Sequence, residues 1–303
     1  EYLIGIGEGY ILCWRLLTGG TIILVETITA DTSSNALPFN EDYLQQYTTA
    51  QYGDVMFICH PLFAPRMLTR TSLTAFELSV FSFDTDYSGQ NTKQPYSVFH
   101  PSNVTLTCNS TSAGLTNVTV TTSTHYFKTD GSHVGVTLRH NGCELLITNV
   151  SSTIAANVTI IKTLKQRLSV LNPLRTRDGS NKVEITHLSH GLSQGASITI
   201  SDAVAVGGLN ASHINGTRSI NEIIDDNTYI VLASTNANTS EDGGGFVSIT
   251  SGAATRNWDE QSFSAVRGYP AAVTFHENRL CFGGTIAEPD TIWMSSLGKF
   301  FDF

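Results

Sequence analysis

The stretch VRGYPAAVTFHENRLCFGGTIAEPDTIWMSSLGKFFDF, running from Val266 to Phe303, decides how the rest of this chain is read. Ala272-Val273-Thr274-Phe275 and Arg279-Leu280-Cys281-Phe282 alternate or run apolar around a His-Glu-Asn turn. Thr291-Ile292-Trp293-Met294 follows a Glu-Pro-Asp break. The pattern predicts two β-hairpins, the start of a meander or propeller-like sheet whose strands need further blades to cover them. A chain closing on Phe-Phe-Asp-Phe offers none, so the expectation is a fragment or one part of a larger assembly.

Working outward, the composition of the 303 residues points the same way: 41% are hydrophobic, only 14% are charged, and the net charge is −9. Low charge with abundant Ser, Thr, Asn and Gly suits strands and turns better than a helical enzyme. The best helical window is Asp42 to Tyr47, with Leu44 and Tyr47 three apart behind an Asn40 cap. No run approaches the roughly 18 apolar residues of a membrane-spanning helix. Glu1-Tyr2-Leu3-Ile4 has no basic segment ahead of it and does not read as a signal peptide. Cysteines at 13, 59, 108, 143 and 281 are odd in number and lack a CxxC pair. Buried free thiols are therefore expected, with a Cys108–Cys143 pair left open.

The predicted fold class is all-β, in four regions. Residues 1–86 read as an N-terminal scaffold. It opens with a hairpin from Tyr2 to Leu24, with turns at Gly5 to Gly9 and Thr18 to Gly20. A polar loop, the short helix, a strand from Asp54 to His60, a proline-bounded turn from Pro61 to Pro65, and strands around Met67 and from Phe76 to Phe83 complete it. Residues 87–164 are rich in Thr and Val, with short alternating strands such as Asn117 to Thr121, and predict a small sheet or sandwich. Residues 165–256 bring a new pattern, and 257–303 begin the propeller-like sheet.

Within 165–256 the series is strand, Thr186-His187, His190-Gly191-Leu192-Ser193-Gln194-Gly195, strand, glycine-rich turn, strand, and Asp225-Asp226-Asn227-Thr228-Tyr229. It resembles the small barrel-like module first named for ubiquitin-activating enzymes, the first catalytic cysteine half-domain. No cysteine occurs between 144 and 280, so the name brings no nucleophile with it. Residues 144–164 rejoin 257–264 sensibly when the module is removed, which marks it as an insertion at a surface loop.

The rejoined chain resembles the tail nozzle, or tail tubular, proteins of short-tailed phages. The resemblance is carried by Leu37-Pro38-Phe39 with Glu41-Asp42-Tyr43-Leu44, by AQYGDVMFICHP (50–61) with APRMLTR (64–70), by Val134-Gly135, and by Trp258 through Phe303, above all RGYPAAVTFHENRLCFGGT (267–285) with PDTIWMSS (289–296). It covers most of the chain outside the insertion. The family has a further propeller portion that this chain lacks, and Ala75-Phe76 stands where a Trp is commoner. The resemblance implies a structural virion protein made in the bacterial cytoplasm and built into a ring, hexameric in the family. The ring sits at the far end of the tail, beside adaptor proteins and tail fibres, and lines the channel through which DNA leaves. A net acidic chain agrees with passage without specific binding, because affinity for duplex comes from Lys and Arg neutralising phosphates.

The residues expected to carry assembly are Asp54, Pro61, Pro65, Arg66 and Arg70 in the first scaffold, and Trp258, Arg267, Pro270, Arg279 and Trp293 beyond the insertion. Arg66 and Arg70 read as partners in structural ion pairs. Trp258 and the Arg267-Gly-Tyr-Pro turn read as the elements that fix the chain after the insertion. Edge strands and apolar blade faces from neighbouring subunits are expected to drive assembly.

No catalytic, cofactor-binding or metal residue is expected. His187 and His190 are three apart without an acidic or Cys neighbour, which favours a turn over a metal site. His60, His100, His125, His133 and His140 read as neutral packed or hydrogen-bonded rings. Asp84, Asp86 and Glu77, or Asp225 with Asp226, could pair as carboxylates, yet turn chemistry accounts for them better. Gly5-Ile6-Gly7-Glu8-Gly9 precedes a strand rather than a helix, against a dinucleotide site. Sequons at Asn103, 109, 117, 149, 157, 210, 215 and 238 keep open a glycosylated secreted surface protein. A host-surface adhesin or tail-spike-like carbohydrate-binding protein is the other alternative.

Overall fold

A computed structural model describes residues 1–32, 37–87, 89 and 92–303. The chain is all-β, and its sheets are antiparallel and grouped in two compact units. Part of the polar loop expected before the short helix, 33–36, lies outside the described residues. Among the described residues, no helix is long and apolar enough to cross a membrane.

One unit comprises Glu1–Pro95 and Ser262–Phe303. Its middle layer is a four-stranded sheet of Thr48–Tyr52, Val55–His60, Phe63–Arg70 and Phe76–Val80. The run Val55-Met56-Phe57-Ile58-Cys59 is apolar throughout because both of its faces are covered. Ile58, with Leu68 and Leu78, packs against the N-terminal sheet of Tyr2–Gly7, Tyr10–Leu16 and Ile22–Ile28. Phe57 and Cys59 point the other way, into a core with Phe282 and Trp293 of the C-terminal sheet. That sheet comprises Ala272–His276, Arg279–Gly283 and Ile292–Met294.

Several sequence expectations are corrected here. The N-terminal segment is a three-stranded meander, and Gly5 and Gly7 lie inside its first strand; the first turn is Glu8-Gly9, with Gly9 at φ 72°. The C-terminal segment is a three-stranded meander, two hairpins that share Arg279–Gly283, the first of which joins it to Ala272–His276. The turn of this first hairpin is Glu277-Asn278, both with positive φ, the backbone of a tight hairpin with right-handed twist. Phe300, Phe301 and Phe303 pack into the aromatic core within the unit, so this face is covered by the chain itself. The turn from Pro61 shortens to Pro61-Leu62, and Pro65 falls inside the strand Phe63–Arg70. The register shift between Ile58 and His60 is a bulge opposite it, a place where a strand tolerates a residue without N–H. The short helix is a 3₁₀ turn, Glu41–Gln46, whose Asn40 side chain accepts from the Asp42 N–H at 2.9 Å.

The other unit is Tyr96–Gln261 and holds two sheets. Seven strands run in the order Tyr96–Ser97, Trp258–Gln261, Thr137–His140, Cys143–Ser152, Ala155–Ile160, Val118–Thr122, Leu106–Cys108. The strand after the insertion thus pairs with Thr137–His140, placing Leu138 opposite Glu260 and His140 opposite Trp258. The eight-stranded sheet is made of strands that all lie between Lys165 and Thr250. Its alternation is plain in Lys182–Thr186, where Val183 and Ile185 are buried and their neighbours are not. These two join Leu174, Ile198, Tyr229 and Val231 in a core of their own. All five cysteines are buried and free, Cys108 and Cys143 included.

Candidate functional site

The expected assembly residues fall into three settings. In the middle sheet, Arg66 Nε donates to Asp31 Oδ2 at 2.8 Å, and both side chains are almost wholly buried. Its Nη1 donates to the Ala64 carbonyl, also within the unit. Arg70, four residues further along the same strand, pairs with the exposed carboxylate of Asp54 and contacts the Tyr2 hydroxyl, its guanidinium 5.3 Å from the Tyr2 ring. The hydrogen bonds that Arg70 donates to Tyr2 and then to Asp54 raise its pKa above its ordinary value. Tyr2, Gln51, Asp54, Met56, Arg70 and Phe76 line a cleft of about 510 Å³. Pro61 accepts from the Tyr269 N–H at 2.9 Å and Pro65 from the Phe81 N–H at 2.8 Å, which joins separate segments of the unit.

The turn that holds Arg267 and Pro270 is closed by two backbone hydrogen bonds between Ser264 and Gly268, of 3.1 and 2.8 Å. Gly268 has φ 83°, and a β-carbon there would lie 2.9 Å from Ile286, so the position requires glycine twice over. Arg267 receives the Ala287 N–H on its carbonyl, and Pro270 is buried. Arg279 donates to the Ser295 carbonyl at 2.7 Å. Trp293 packs edge-on against Phe263, with ring centroids 4.8 Å apart.

Trp258 belongs to the other unit. Its indole N–H donates to the Val104 carbonyl at 3.1 Å, and its ring stacks on His100 at 4.0 Å. His100 Nε2 in turn lies 2.8 Å from the Trp258 carbonyl. Of the ten expected residues, nine therefore share the first unit and Trp258 anchors the seven-stranded sheet.

Sequence reasoning missed a buried polar cluster beside Trp258. Glu260 is fully buried, accepts from the Tyr126 hydroxyl, and has His133 Nε2 at 3.6 Å. His133 Nδ1 accepts from the Lys128 N–H at 2.9 Å, so in the neutral ring the proton sits on Nε2 and faces the carboxylate. The available signal was parity: Glu260 is two residues from Trp258 on a strand, hence on the same inward face.

The two histidines of the inserted pattern serve its interior. His190 Nδ1 accepts from the Leu192 N–H at 3.0 Å and Nε2 bonds the Asp225 carbonyl at 2.9 Å, closing the turn. His187 lies between the Tyr229 hydroxyl at 3.3 Å and Gln166 Oε1 at 3.2 Å. Burial first, and His190 second, push its pKa down to about 4. Among the described residues no three His, Cys, Asp or Glu side chains gather in a metal-binding group. Asp225 Oδ1 accepts from the Asn227 N–H at 2.7 Å, a turn role. Asp84 ties its backbone to Phe301 and Lys93.

No family model matches this chain, and no curated protein matches it. A solved structure described as phage phi92 endosialidase is similar at 9% identity and a TM-score of 0.25, over 82% of this chain and 46% of that one. The chain thus spans about half the length of that protein, and a likeness at this TM-score carries no argument about fold or function.

Proposed function

We propose that this chain is a structural subunit of a phage tail, of the nozzle type. Copies form a ring, six-fold in the family it resembles, at the distal end of the tail, and DNA leaves through its channel. One observation carries the reading. The two strings that bear the resemblance, 51–70 and 267–296, lie far apart in sequence yet form the two sheets that share one aromatic core. The residues of these two strings thus pack together in a single unit, which supports the reading. The acidic balance of the chain supports a lumen that repels phosphate and lets DNA slide. The eight-stranded sheet, with its own core, is a decoration facing adaptor proteins or fibres.

Negative-stain electron microscopy of the purified chain, alone and in virions, tests the proposal. A six-fold ring at the tail tip is the expected image. A monomer or a three-fold spike overturns it and turns the search to host-surface adhesion and carbohydrate binding.

A further inference from the structure

The N-terminal sheet buries one face and leaves the other open. Inward, Ile11 and Cys13 are fully buried in the core shared with the middle sheet. Outward, the register sets Leu3 opposite Trp14, Trp14 opposite Leu24, and Leu16 opposite Ile22. Leu3, Ile22 and Leu24 expose 60%, 57% and 53% of their surface, and Tyr10 and Leu16 expose 42% and 39%. None of the outward positions in these three strands is charged. The face is also flat. A β-carbon at Gly5 would lie 2.8 Å from the Trp14 ring, and one at Gly7 would run into the Tyr10 ring. Both aromatic rings therefore lie down across glycine, which fills the gap and levels the surface.

We propose that this face packs against the same face of a second copy of the chain. The contact is isologous and pairs two copies, so it adds to the heterologous contacts that would close the proposed ring, and it rests on that reading only in supposing that copies associate. Area and charge both favour a copy as the occupant. At about 200 Å² for a fully exposed large side chain, the five exposed residues present roughly 500 Å², near the largest apolar patch of an ordinary monomer. Two such faces closing on each other bury about 1,000 Å², the threshold for specific association. Flat apolar faces are also what aligned sheet-on-sheet packing requires. Residues 1–92 contain three arginines, no lysine and ten carboxylates. An anionic lipid surface is repelled by that balance. Two acidic copies would repel as well wherever their charges met, and a face without charge is where they can meet without that cost.

Sedimentation velocity on the whole chain tests this, using Leu3→Lys/Leu24→Lys, whose side chains are already exposed and leave the fold intact. The wild type is expected to associate, and the double variant to bind its copy at least tenfold more weakly. Leu62→Lys, at a residue 57% exposed elsewhere in the unit, is expected to leave association unchanged. Association in the double variant as tight as in the wild type and to the same mass overturns this face while sparing self-assembly. A wild type that stays monomeric at every concentration overturns both. Flotation of the wild type with phosphatidylglycerol vesicles, lost in the double variant, overturns the proposal in favour of a lipid surface.

Discussion

Phe57, Phe81, Phe263, Phe282 and Trp293 fill the core between the middle and C-terminal sheets, whereas the eight-stranded sheet closes over Leu, Ile, Val and Ala with Tyr229 as its aromatic member. The first core gathers residues from both ends of the chain; the second lies entirely within residues 168–249. Rings such as Phe81 and Phe282, edge to face at 5.2 Å, each remove a large area from water and hold a defined angle. A few of them can lock together segments that have no local reason to meet. The aliphatic core needs no such long reach, because period-2 alternation along neighbouring strands already supplies its members.

The comparison can be broken most directly at Phe282, which is fully buried. Phe282→Ala is expected to destabilise the first unit by about 3–5 kcal/mol. Hydrogen exchange should show protection lost in the middle and C-terminal sheets and retained at Val183 and Val231; equal loss in both units would show that the cores are not independent. Arg66→Ala removes one partner of the buried Arg66–Asp31 ion pair and is expected to cost about 3–5 kcal/mol in the same unit, measured by urea unfolding.

Acid should act first on the other unit. His187 has a pKa of about 4 in the fold against 6.5 when unfolded, so the unfolded chain binds more protons. The stabilisation is complete above about pH 6.5 and is lost as the pH falls toward 4, a span worth roughly 3 kcal/mol. His187→Gln should flatten that dependence in thermal scans between pH 7 and 4, and an unchanged slope would remove His187 as its source. The smallest effect is expected at Arg70. Its partner Asp54 is exposed, and surface pairs add little, so Arg70→Ala should leave the unfolding midpoint unmoved.

Much of the strand pattern was legible in the sequence. The apolar run at 55–59, the alternation at 182–186 and the Glu277-Asn278 turn are local signals that burial period and backbone conformation write directly into residue order. The assembly residues were legible only by type. Arg66 and Arg70 read as partners in structural ion pairs, but nothing in the spacing named Asp31 or Asp54 as their respective partners.

What residue order determined by itself is the all-β class, the positions of many strands and the contiguous character of the eight-stranded sheet, because alternation and turn chemistry act between near neighbours. Tertiary structure alone decided that Gly5 and Gly7 are strand rather than turn, since only the rings of Trp14 and Tyr10 across the pair fill their missing side chains. It alone decided that Glu260 sits beside His133 and Tyr126, and that the terminal phenylalanines close a core begun at Phe57. Those are meetings of segments separated by more than a hundred residues, and they are selected by shape and desolvation across sheets, which no local pattern records.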